Sequence, residues 1–143
     1  MKKPLIIIVL LCFICSIATA ETIHDFDVKA IVCGESSIDL STAVELNGMT
    51  MYKAGDCQVV FKMKGDEIER IYVMGDGVQF LAYSMAAVMT FDPSTDNLSE
   101  NAGRLFSLFI FARTDPEQYG KILTGETFTV QQYNGAYLFT IGE

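Results

Sequence analysis

The sequence predicts an α+β fold, in which an antiparallel or mixed sheet of two hairpins and an N-terminal strand carries two consecutive apolar helices on one face. Two observations predict the hairpins: residues 57–74 and residues 128–141 each alternate apolar and polar side chains around a turn. A third observation places the helices, because residues 78–115 between the hairpins have helical spacing. Strands that flank a helix pair are typical of the α+β class.

Residues 1–20 have the three parts of a cleaved secretory signal. Lys2 and Lys3 precede the apolar run 5–17, and small residues occupy the −3 and −1 positions before Glu21. The apolar part, about 16 residues, is shorter than the roughly 20 residues that a membrane span needs. We therefore expect cleavage after Ala20, a periplasmic or secreted protein without stable membrane insertion, and one domain over residues 21–143.

The charge of the mature chain limits its partners. Removing 20 of the 143 residues leaves 123, and the loss of Lys2 and Lys3 changes the formal charge from −8 to −10. Such a chain repels nucleic acid and anionic lipid. It favours a basic protein partner, although an acidic balance also serves solubility alone.

Two cysteines, Cys33 and Cys57, remain after cleavage. An even pair in an oxidising compartment predicts a disulfide between them. The closed loop of about 25 residues corresponds to a stabilisation of roughly 3.5 kcal/mol in the chain-entropy model. A metal site is disfavoured because it needs more ligands, and His24 is the only histidine.

The first third of the domain has the weakest patterns. Residues 23–32 alternate loosely and predict the N-terminal strand. Within residues 35–47, Ser36 or Ser37 is a candidate cap for a short helix that ends at Gly48. Residues 49–53 predict a short strand.

Turn residues identify the two hairpins. Gly65-Asp66 separates the apolar alternation of residues 57–63 from the strand pattern of residues 68–74. Asn134-Gly135 has the composition of a type I′ turn between residues 128–131 and 137–141. The second hairpin is the clearest local pattern in the chain.

The two predicted helices are unusually apolar. The first, over residues 78–91, is apolar on nearly all sides and is stopped by Asp92-Pro93, so we expect it to be buried on most sides. The second begins near Asn97, which has the spacing of a capping box with Glu100, and ends at Asp115-Pro116. Together they are expected to supply most of the core.

No catalytic pattern emerges from the sequence. His24 lies beside Asp25 and Asp27, but a nucleophile in a recognisable setting is missing, so we interpret it as a surface residue at the start of the predicted strand. The glycines around Asp76 lack the spacing of a phosphate-binding loop. We predict a non-enzymatic protein without cofactor or metal.

Two groups of residues are candidate binding sites. Three carboxylates near the first hairpin turn form a candidate acidic surface, although turn chemistry also explains them: Asp66, Glu67 and Glu69. Five large residues of the helices are compatible with core, a homodimer face or the lining of an apolar pocket: Tyr83, Met85, Met89, Phe106 and Phe109.

The functional expectation is a small exported binding protein, similar in kind to inhibitors or immunity proteins, that uses its acidic surface against a protein partner. This analogy is one of class and rests on no motif. The alternative is a carrier or sensor that holds an apolar small molecule between the helix pair and the sheet.

Overall fold

A computed structural model describes residues 22–91, 95–115, 122–124, 128–133 and 135–142 of the chain. Seven strands form one antiparallel sheet in the order β1-β2-β3-β4-β7-β6-β5. The strands are β1 Val44–Leu46, β2 Met49–Ala54, β3 Cys57–Lys64, β4 Glu67–Gly75, β5 Ile122–Thr124, β6 Phe128–Tyr133 and β7 Ala136–Gly142. The helices are α1 Ile23–Val32, α2 Gly77–Phe91 and α3 Thr95–Thr114. The α+β class is therefore confirmed.

The expected N-terminal strand is wrong, because residues 23–32 form helix α1. Thr22 and Asp25 make a capping box: the Thr22 N–H donates to Asp25 Oδ2 at 2.7 Å, and the Asp25 N–H donates to Thr22 Oγ1 at 3.3 Å. Phe26 and Ala30, one helical turn apart, are both buried. The cap and this spacing outweigh the loose alternation, and His24 is an exposed residue in the first turn of the helix.

The short helix expected within residues 35–47 is also wrong. The chain forms only a 3₁₀ turn, Leu40–Thr42, and then enters the edge strand β1. Asp39 caps that turn by accepting the Ser41 N–H at 2.9 Å. Asn47 and Gly48 both have positive φ and connect β1 to β2, so the expected end of a helix is a hairpin turn.

The positions of the other predicted strands and helices are confirmed, with shifted boundaries, but the strands supply more of the described core than the two predicted helices do. β2 includes the expected strand 49–53, β3 and β4 form the first hairpin, and β6 and β7 form the second. Helix α3 begins at Thr95, two residues before Asn97, and Asp115 follows its last residue. Residues 92–94, Pro116 and Asn134 lie outside the described residues, and so does the expected signal.

The helices pack on one face of the sheet through aromatic side chains. Phe26 of α1 contacts Phe61 of β3 at a ring-centroid distance of 5.1 Å. Phe109 of α3 packs between Phe80 of α2, at 5.6 Å, and Tyr137 of β7, at 4.8 Å. All five rings are buried, so α1 lies over the first hairpin and α3 over the second. The space between the helices and the sheet is filled by side chains.

Candidate binding cleft in the helical layer

Helix α2 has two apolar sides with different surroundings. The side toward the sheet is buried: Phe80, Tyr83, Ser84, Ala86, Ala87, Val88 and Thr90. The opposite side carries a second stripe at helical spacing, of which one member is exposed and the others are partly covered: Val78, Leu81, Ala82, Met85 and Met89. Val78 is 79% exposed. A stripe that faces away from the sheet is usually polar, so its composition marks this side as a candidate contact surface.

The second stripe forms the floor of an open cleft of about 370 Å³. Residues of all three helices line it: Cys33, Val78, Leu81, Ala82, Met85, Ala102, Leu105 and Phe106. The end of α1 contributes Cys33, whereas α3 contributes a wall that includes the 57% exposed ring of Phe106. None of the described lining side chains carries a charge at neutral pH, so this lining can bind apolar groups through burial of surface.

Two ion pairs lie on the helices that line the cleft or at their ends. At the N-terminal end of α2, the Asp76 carboxylate lies 3.5 Å from an Arg113 nitrogen of α3. The Arg113 guanidinium also stands 5.8 Å from the ring centroid of Phe109. On α3 itself, Glu100 and Arg104 are 2.6 Å apart.

The two cysteines lie on different layers. Cys33 is half-buried at the cleft, with its Sγ 3.7 Å from Met89 Sδ. Cys57 is buried in β3, where burial raises its pKa to about 11. Burial also raises the pKa of Cys33, and the Glu35 carboxylate acts in the same direction on both thiols. The structure holds both as free thiols, and their pairing stays a prediction.

The five large residues predicted as a pocket or dimer face divide between two environments. Tyr83 and Phe109 belong to the core, where the Tyr83 hydroxyl donates to the Ser36 carbonyl at 3.2 Å. Met85 and Phe106 line the cleft. Met89 lies on the same side of α2 and contacts Cys33. The pocket that brings Met85 and Phe106 together thus lies on the side of the helices that faces away from the sheet.

The three candidate carboxylates lie together at the β3–β4 hairpin, with basic residues between them. Glu69 pairs with Lys62 at 2.5 Å, and the hydrogen bond from this lysine lowers the Glu69 pKa. Glu67 is directly opposite Lys64, and Asp66 is exposed at the turn. Because Arg70 follows in β4, the hairpin carries three basic and three acidic side chains and has no net charge.

The carboxylates beside His24 have structural roles. Asp25 caps α1, and its hydrogen bonds with Thr22 lower its pKa. Asp27 accepts the Ile38 N–H at 2.7 Å and fixes the chain after the helix. Within the described residues, no three His, Cys, Asp or Glu side chains come close enough to hold a metal ion. None of the described helices is both long enough and apolar enough to cross a membrane.

Sequence reasoning missed most of the cleft lining. Val78, Leu81, Ala82 and Met85 form an i, i+3, i+4, i+7 stripe that the sequence does contain. The all-round apolar composition of α2 hid this stripe, because the sheet-facing side is equally apolar. The capping box of Thr22 and Asp25 is the sequence signal that could have placed Cys33. It indicates a helix over residues 23–32, and Cys33 then lies at the end of a helix instead of a strand.

Comparison of the chain with protein-family models, curated proteins and solved structures found no match.

Proposed function

We propose that the chain is an exported, non-enzymatic binding protein whose helical layer docks a protein partner in the apolar cleft. The observation that carries this proposal is the outward stripe of α2, which places Val78, Leu81 and Met85 on the side away from the sheet. Large exposed apolar surfaces on soluble domains mark interaction sites. A helix of the partner with apolar residues at matching spacing fits such a groove.

The open shape of the cleft favours a protein over a small ligand. Val78 and Phe106 are mostly exposed, so a small molecule placed between them keeps much of its surface in water. Carriers instead bury most of a ligand's surface. The formal charge of −8, or −10 after cleavage, favours a partner with basic residues around its apolar contact, since such charges accelerate encounter.

Affinity capture with matched variants tests the proposal. Bait proteins are the wild type, Val78→Glu, Phe106→Glu and a control, Leu40→Glu, whose side chain is exposed on the 3₁₀ turn and does not line the cleft. We expect the wild type and the control to retain the same partner from extract of the exporting cells, and both cleft variants to lose it. Retention that is unchanged by the cleft substitutions contradicts the proposal.

A carrier of an apolar small molecule is the second candidate. The cleft volume of about 370 Å³ lies within the size range of small-molecule sites. Native mass spectrometry of protein purified from its own cells separates the two candidates. A bound mass that disappears on denaturation, and is missing from Phe106→Glu, favours the carrier.

The export and disulfide predictions have a direct test in the denatured mass of the same sample. Processing after Ala20 gives a chain that begins at Glu21. A disulfide between Cys33 and Cys57 lowers the mass by about 2 Da relative to the reduced chain. A mass that includes the first 20 residues contradicts the export prediction.

A further inference from the structure

The face of the sheet opposite the helices carries its own apolar surface, which we call the outer face. Its members alternate along β1, β2, β3, β4 and β7 with the core residues Tyr52, Val59 and Val73. They are Val44, Leu46, Met49, Met51, Val60, Tyr72, Met74 and Leu138. The described helices all pack on the other face, so none of them covers these side chains.

The register joins these residues into a continuous surface. Val44 pairs with Met51, Met51 with Val60, and Val60 with Tyr72, which makes one apolar row across four strands. Met74 and Leu138 are neighbours in the adjacent row. An antiparallel sheet with one face in water usually has polar residues on that face. Apolar residues here indicate a surface that is covered in the working protein.

The charges of the outer face lie around its apolar row. Lys53 lies beside the row on one side, and Lys62 and Arg70 lie beside it on the other. Lys62 pairs with Glu69, and Arg70 Nη1 donates to the Tyr72 hydroxyl at 3.3 Å. The row itself is uncharged, and three basic residues and the Glu69 carboxylate flank it, so the face suits another uncharged apolar surface that also carries a carboxylate at its margin. A second copy of this chain presents such a surface.

The size of the outer face agrees with this occupant. Five strands spaced about 4.8 Å apart, each with about six residues of 3.3 Å rise, give a footprint of roughly 500 Å². Side chains protrude from the sheet plane, so the accessible area of the face is larger than this flat footprint. It therefore approaches the ~800 Å² that each partner buries in a standard protein interface. Two stacked sheets about 10 Å apart bury their facing side chains completely, as in β-sandwiches.

We propose that two copies of the chain associate through their outer faces. The contact is self-complementary, because the same apolar row of each copy covers that of the other. The clefts then lie on the two outward sides of the dimer.

Hydroxyl-radical footprinting of the purified wild-type protein over a concentration series tests the proposal. The chain contains matched probes: Met49, Met51 and Met74 on the outer face, and Met85 and Met89 on the cleft side, all partly exposed. We expect the three outer-face methionines to become at least threefold less oxidised as the protein dimerises, while the two cleft-side methionines stay unchanged.

Sedimentation analysis of Val60→Lys provides the independent readout. Val60 lies at the centre of the apolar row, and an outward lysine leaves the core untouched. We expect a dimer dissociation constant at least ~100-fold above that of the wild type, as for a central interface residue. Val78→Lys is the control, and circular dichroism checks that both variants are folded.

Three results overturn the proposal. One is a purified wild type that stays monomeric at every concentration. This result overturns the proposal even if a different molecule covers the outer face in cells. Another is protection of Met85 and Met89 instead of the outer-face methionines, which places the dimer contact at the cleft. The third is a folded Val60→Lys that dimerises as tightly as the wild type. If the affinity capture alone fails, the proposed function is contradicted but the proposed dimer is not.

Discussion

The two sides of helix α2 have almost the same composition but different neighbours. On one side, Phe80 and Tyr83 are packed between the sheet and the other helices and are fully buried. On the other side, Val78 and Met85 border an open cleft. The first side is covered by the chain itself, whereas the second offers the same apolar chemistry to another molecule. Apolar content therefore predicts that a surface is covered, but not by what.

The largest expected effect is a difference in the free energy of unfolding between substitutions on the sheet-facing side and on the cleft-facing side of α2. Phe80→Ala removes a ring that is 0% exposed and packs against Phe109 and Tyr137, so we expect a loss of about 3–5 kcal/mol in the free energy of unfolding. Val78→Ala is expected to change that free energy by less than ~0.5 kcal/mol, because its side chain is already in water. Urea unfolding measures both, and equal losses contradict the distinction.

The next effect compares Gly75, at the end of β4 just before α2, with Gly103, an exposed glycine within α3. A Cβ on Gly75 lies 2.5 Å from Cys57 Sγ, with φ at +157°, so Gly75→Ala should destabilise the fold by about 1–3 kcal/mol. Gly103 is a helical residue of α3 with nothing within 4 Å of its Cβ position.

We expect Gly103→Ala to stabilise the fold by about 0.5–1 kcal/mol, since it lowers the entropy of the unfolded chain. Thermal unfolding of the two variants measures the contrast. A stabilising Gly75→Ala means that Cys57 is not packed against the end of β4.

An alkaline pH is expected to weaken the core beneath α2. In the reduced protein, the Cys57 pKa is about 11 against an ordinary value of 9.0, and burial also raises the Tyr83 pKa. Because the folded pKa is the higher one, the Cys57 contribution is complete below pH 9 and is lost as the pH rises through 11. The urea midpoint should fall over this range.

Cys57→Ala is the control for this pH dependence. It is expected to make the fall of the urea midpoint shallower, with the remaining slope due to the tyrosines. An identical slope in the variant contradicts the assignment to Cys57. The same test in oxidised protein shows no Cys57 contribution if the predicted disulfide forms, because the thiol is then consumed.

The smallest effect concerns a polar atom on the covered side. Ser84 is 0% exposed, and its Oγ has no hydrogen-bond partner among the described residues. Ser84→Ala removes this unsatisfied hydroxyl, so we expect a change between neutral and about 1 kcal/mol of stabilisation. Clear destabilisation in urea unfolding indicates that the hydroxyl does have a partner.

Local signals in the sequence determined which elements could be predicted. Gly65-Asp66 and the alternation around it predict the β3–β4 hairpin, because turn chemistry and strand period agree there. Residues 23–32 were misassigned because their loose alternation concealed the Thr22–Asp25 cap and the helical spacing of Phe26 and Ala30. In short segments, the choice between two periods depends on such caps.

The cleft was harder to predict than the fold because it depends on contacts distant in the sequence. Met85 and Phe106 were identified as candidates, yet only the packing of α3 beside α2 brings them together. Tyr83 and Phe109 have the same residue types and fill the core. The three hairpin carboxylates were expected to form an acidic surface, but strand pairing places Lys64 opposite Glu67, and Lys62 forms an ion pair with Glu69.

Site-specific photo-crosslinking in the exporting cells tests the central claim most directly. A photoreactive residue replaces Phe106 at the cleft in one variant and the exposed Leu40, outside the cleft lining, in the other. The account predicts one discrete covalent adduct with a second protein from position 106 and none of that mass from position 40. Adducts that are equal at both positions, or an adduct of the chain with itself from position 106, would contradict it.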